Sequence, residues 1–141
     1  MSETLTLREA QRIVDVIVTE SESRGLKTAV AVVDERGDLI LAARLDGARF
    51  YYPDVAYGKA MGSAMWQEPS RVLSQRSATN SVQQRVNGLS GGRIVFAPGA
   101  VPLRRNGAVV GAVGVGGSGP DSDEDLANLG ASAFQETSPP S

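Results

Sequence analysis

Two tight turns, each set between short apolar runs, constrain this chain more than any other feature. Asn106-Gly107 fits a type I′ hairpin, because both central positions need a positive φ that Asn and Gly tolerate. It predicts strands over Val101–Arg104 and Ala108–Val115. Upstream, Asp34-Glu35-Arg36-Gly37-Asp38 separates Ala29–Val33 from Leu39–Ala43, with Gly37 free to take the turn's unusual backbone. Both of these runs are nearly continuous in apolar residues, which predicts burial on both faces. Arg93–Phe96 reads as one more short strand, so the expected sheet has five.

The helical segments lie around and between these hairpins. Thr6 and Glu9 form a capping box ahead of Leu7, Ala10, Ile13, Val14 and Ile17, which recur at helical spacing, and Gly25 suits the stop. Pro53 fits the first turn of a second helix, whose Val55, Ala56, Lys59, Ala60, Ser63 and Ala64 make a face of mostly small residues. Such a face lets a sheet or another chain approach closely. Pro69 to Arg76 begins a short third helix, and 77–89 reads as loop with a helical turn. A last helix starts near Asp121-Ser122-Asp123-Glu124, whose carboxylates suit the positive end of the helix dipole. Hairpins on either side of a helical insertion predict an α/β (α+β) fold with a mostly antiparallel sheet flanked by helices. The chain reads as a single domain over 1–136 with a disordered tail at 137–141.

Composition excludes much chemistry. With neither Cys nor His among the 141 residues, disulfides, thiolate sites, His-ligated metals and imidazole bases are all ruled out. A net charge of −2 without a basic stripe argues against nucleic acid as partner. No apolar run approaches the roughly 20 residues that span a bilayer, and the polar start lacks a signal-peptide core, so a cytoplasmic location is expected.

Several constellations merit weighing. Gly114, Gly116 and Gly119 spell G-x-G-x-x-G, but no strand follows to complete a dinucleotide-binding unit, and Asp121 and Asp123 would repel a pyrophosphate. Free N–H groups at Gly116, Gly117 and Ser118 could still hold a carboxylate. Gly111 and Gly114 inside a strand point to close approach of backbone or ligand. Ser90-Gly91-Gly92-Arg93 reads either as a turn or as an anion cradle, since the Arg fork matches two carboxylate oxygens. Arg49 and Tyr52, beside Phe50 and Tyr51, read as a turn with core-capping aromatics or as the mouth and wall of an apolar pocket. Asp121, Asp123 and Asp125 mimic the start of a calcium loop, but Leu126 and Ser132 stand where Gly and Glu are needed, so no metal site is expected.

Four stretches, VVDERGDLILAARLDGAR, DVAYGKAMGSA, LSGGRIVFAPGAVPL and GAVVGAVGVGGSGPDSDEDLA, together resemble the GlcG/HbpS family, which includes the C-terminal domain of PduO-type proteins. The resemblance runs from Leu5 to Phe134 and implies a profilin-like fold, homo-oligomers and, in several members, haem binding. Lacking His, this chain would hold a haem through Tyr, Met or Lys, with Tyr51, Tyr52, Tyr57 and Met61 as candidates, or by packing alone.

Two readings follow. In the first the chain binds a small ligand, haem or another partly apolar organic acid, through Arg49, Tyr52, Ser90, Gly91, Gly92, Arg93, Gly116, Gly117 and Ser118, and self-associates. In the second it is a cofactor-free isomerase or hydrolase of a small catabolic acid, with Lys59, Tyr51, Asp123 or Glu124 moving protons.

Overall fold

Helix α1 (Leu7–Ser23) begins where the capping box predicts it. The Glu9 N–H donates to Thr6 Oγ1 at 3.1 Å, and the Thr6 N–H donates to Glu9 Oε1 at 3.0 Å. Ala10, Ile13, Val14 and Ile17 are buried, whereas Leu7, expected in the same stripe, is exposed. The computed structural model describes residues 4–137, so the expected tail lies outside them apart from Thr137, the last residue of the final helix. After α1 come β1 (Ala29–Asp34), β2 (Leu39–Arg44), α2 (Tyr52–Trp66), α3 (Ser70–Arg76), α4 (Ser81–Leu89), β3 (Ala100–Arg105), β4 (Ala108–Gly116) and α5 (Pro120–Thr137). No helix among the described residues is long and apolar enough to cross a membrane.

The four strands form one antiparallel sheet in the order β2-β1-β4-β3. The expected fifth strand at Arg93–Phe96 does not form. Asn87 takes its place as hydrogen-bond partner: the Ile94 N–H donates to Asn87 Oδ1 at 2.9 Å, and Asn87 Nδ2 donates to the Ile94 carbonyl at 3.2 Å. A side chain thus satisfies the backbone that a ladder would otherwise pair. The same Asn87 belongs to α4, which replaces the expected loop and is capped by Asn80 accepting from the Gln83 N–H at 3.0 Å. β2 also departs from expectation: it is an edge strand and half-exposed, while β1 is buried on both faces.

The two faces of the sheet are chemically different. Val30 and Val32 of β1, and Val113 and Val115 of β4, pack with α1 and α5 around Ile13, Ile17, Leu126 and Phe134. Ala29, Ala31, Val33 and Ala112 face the opposite way, against α2 through Ala56, Ala60 and Ala64. Across the central pair Val30 faces Val115 and Ala31 faces Gly114, so bulky and small residues are matched along the register. An added methyl on Gly114 would run into the Ala56 carbonyl and sit 3.0 Å from the Ala60 nitrogen. Gly114 therefore admits the backbone of α2, whereas a Cβ on Gly111 would run into the Val33 carbonyl of β1 and Leu5, so close approach is by backbone at both glycines.

Candidate functional site

Three consecutive aromatics lead into α2. Tyr51 stands edge-on between its neighbours, 5.5 Å from the Phe50 ring and 5.1 Å from the Tyr52 ring. The Tyr52 N–H donates to the Arg49 carbonyl at 3.1 Å, and Pro53 occupies the first turn, where a missing N–H costs nothing. On α2, Asp54 and Tyr57 then lie three residues apart and share a face. The chain at Arg93–Val95 crosses that helix at Gly58, where any Cβ would strike the Arg93 carbonyl and lie 2.7 Å from a Val95 methyl.

The crossing creates a cleft of about 660 Å³, within the range of small-molecule sites. Tyr51, Asp54, Val55 and Tyr57 line it from the helix side, and Gly92, Arg93 and Val95 from the crossing segment. Arg93 is fixed by its Nε donating to the Ser90 carbonyl at 2.8 Å, and its guanidinium lies 6.0 Å from the centre of the Tyr57 ring. Such a cation above an aromatic face is held by the ring quadrupole. The wall is thus apolar and aromatic, with one guanidinium and one carboxylate at its rim. Chemically it can take a flat, apolar molecule that carries an acid group.

The expected site residues divide among several places. Tyr51, Gly92 and Arg93 meet in this cleft. Ser90 lines a second, smaller cleft on the other side of Arg93, where Met61 also lies. Gly91, between them in sequence, is exposed at φ +80° with open space around it. Arg49 is exposed and lines neither cleft. Tyr52 packs across Gly117, whose Cβ would come within 2.5 Å of the Tyr52 ring. Gly116 is buried against Val55 and Ala56.

Ser118 spends its donors internally: its N–H and hydroxyl both donate to Asp123 Oδ1, at 2.9 and 2.6 Å. Lys59 is buried, with Nζ 3.0 Å from Asp123 Oδ2 and 3.0 Å from the Val115 carbonyl. Glu124 pairs with Arg71, which also reaches Asp121; both carboxylates push this guanidinium further up, Asp121 most. Of the four proton-transfer candidates, Lys59 and Asp123 pair with each other, while Tyr51 lines the cleft and Glu124 binds Arg71. Sequence reading missed Asp54, Val55 and Val95 as cleft residues. Helical spacing from Tyr51 could have found the first two, but nothing local marks Val95, which depends on the crossing at Gly58.

Comparison with known proteins gives the family and the fold. The family model for HbpS-like proteins, described as "Haem degrading protein HbpS-like", matches residues 5–132. The structure is similar to Klebsiella pneumoniae protein ORFY, at 24% identity with a TM-score of 0.87, covering 96% of this chain and 93% of that one. A double mutant of Streptomyces reticuli HbpS is 32% identical with a TM-score of 0.81, covering 94% of this chain and 88% of that chain. The fold is also that of a PduOC–haem complex, at 20% identity and a TM-score of 0.81, covering 92% and 94% of the two chains. This chain belongs to the HbpS-like family.

Proposed function

We propose that the chain is a small-ligand-binding protein that holds haem, or another partly apolar organic acid, in the cleft between α2 and the Gly92–Val95 crossing. The observation that carries this reading is one cavity of about 660 Å³ that combines an aromatic wall with the Arg93 guanidinium. The residues present fit a haem. Tyrosine is a known haem-iron ligand, and Tyr51 and Tyr57 place two phenols on the wall of a chain without His or Cys. Val55 and Val95 offer apolar contact to a macrocycle, and the Arg93 fork matches a propionate. Met61, lining the other cleft, is set apart from these phenols. When bound, haem would supply a redox-active iron; the protein's part is to position the macrocycle and shield one face from water. Both the description of the family and the haem complex of PduOC support the choice of ligand.

Haemin titration of tag-free protein in imidazole-free buffer tests this. Saturable binding with a high-spin, tyrosinate-type absorbance is expected, altered in Tyr57→Phe or Tyr51→Phe. Arg93→Ala should weaken binding roughly tenfold, as for loss of one charge-assisted hydrogen bond. A low-spin spectrum of two imidazoles, or undiminished binding in all three variants, would refute the assignment.

We also propose that the protein self-associates. Phe50, 80% exposed, leaves a large apolar side chain in water beside Tyr51 of the larger cleft.

A further inference from the structure

We infer that the smaller cleft beside Arg93 is a second binding site, for a compact carboxylate with a short apolar tail. The crossing at Gly58 divides one face of α2 in two: Tyr57 falls on the first side, Met61 on the second. Beyond the crossing, Met61 and Met65 of α2, one helical turn apart, meet Val86 and Leu89 of α4 around a space of about 240 Å³. Thioethers and branched aliphatics make an adaptable apolar floor. Its rim is charged. Arg36 and Asp38 come from the β1–β2 turn, and Arg93 from the crossing segment.

The charge balance favours an anion. Two guanidiniums face one carboxylate, and that carboxylate holds Arg36 loosely, at 3.9 Å with both side chains exposed. The turn itself is rigid: the N–H groups of Arg36 and Asp38 donate to Asp34 Oδ1 at 2.9 and 3.0 Å. Gly37 brings it down onto Met61, so closely that a Cβ at this position would lie 3.2 Å from Met61 Cγ. Ser90 is not a ligand donor, because its hydroxyl already donates to the Asn87 carbonyl at 2.7 Å. Recognition of the acid group therefore falls to Arg36 and Arg93. The tail covers Met65 and Leu89, which are otherwise exposed.

Arg93 lines both clefts, so the two sites are linked. A guanidinium drawn toward a carboxylate on one side is less available to the other, and occupancy of the small cleft weakens that of the large one.

Hexanoate is the probe. Titrated into protein carrying ¹³C-methyl methionine, it should move the Met61 and Met65 methyl signals saturably. Arg36→Ala and Arg93→Ala should each weaken this binding about tenfold. Leu89→Glu, which places a charge on the apolar floor, should abolish it and leave haemin titration unchanged. Methyl signals that stay still, that drift without saturating, or that respond equally in Leu89→Glu overturn the site. The methyl readout needs no haem, so failure of the larger cleft's assignment would not be mistaken for failure of this one.

Discussion

Asp123 ties together three separate parts of the chain. One oxygen takes the Lys59 ammonium from α2, and the other takes the N–H and hydroxyl of Ser118 ahead of α5. Lys59 and Asp123 have side-chain exposures of only 6% and 3%, so water cannot replace either partner. Asp123→Ala strands a buried ammonium and should cost about 3–5 kcal/mol in urea unfolding, whereas Lys59→Met with Asp123→Leu should recover most of that. A loss below about 1 kcal/mol in the single variant would show that the pair relaxes to solvent. Glu9 is a partly exposed contrast. Arg105 donates to both its oxygens at 2.9 Å, and this bond first of all, with the Thr6 N–H, outweighs burial and holds the carboxyl at about 2 instead of 4.5. The folded-state value is depressed, so the contribution is complete above pH 4.5 and is lost as pH falls through about 2. Stability of Glu9→Gln should therefore fall less than that of the parent across this window, measured by denaturant unfolding at each pH.

Glycines decide how the elements dock. Gly114 lets α2 lie directly on β4, and Gly58 lets the Arg93–Val95 segment cross α2. Gly114→Ala should destabilise by about 1–3 kcal/mol through overpacking. Gly88, inside α4 with nothing within 4 Å of an added Cβ, is the control, and Gly88→Ala should stabilise by about 0.5–1 kcal/mol. The hairpins, the capping box and the terminal helices were legible in the sequence because each rests on local chemistry. Another regularity was present but went unread: the Val-against-Ala/Gly alternation in β1 and β4, which passes for a uniform apolar run until both faces are known to be covered. The false strand at 93–96 had real β-propensity, and only a remote residue, Asn87, reveals where its backbone bonds go. Half of the candidate site shares this difficulty. Tyr51 and Arg93 stand out as residue types, but their meeting depends on a crossing that no short stretch of sequence encodes.

At the scale of the whole molecule, the small face of α2, expected to serve either a sheet or another chain, packs inside the fold against β1 and β4 through Ala56, Ala60 and Ala64. The proposed self-association must therefore use other surfaces, and Phe50, with its large apolar ring exposed, offers one. Light scattering should give a mass at least twice the 14.7 kDa chain, reduced by Phe50→Ser, and a monomer at high micromolar concentration would refute it.

The central pairing of the sheet has a consequence for how the protein is made. β1 gains its inner neighbour only when Ala29 meets Gly116 and Asp34 meets Gly111. During synthesis, α1 and the first hairpin emerge long before β4 and α5, with Val30 and Val32 still lacking half their cover. Closure is thus a late, long-range event, slow by topology and completed only after α5 has left the ribosome. Until then the nascent chain presents an open valine-lined strand edge, the kind of surface that holdase chaperones shield.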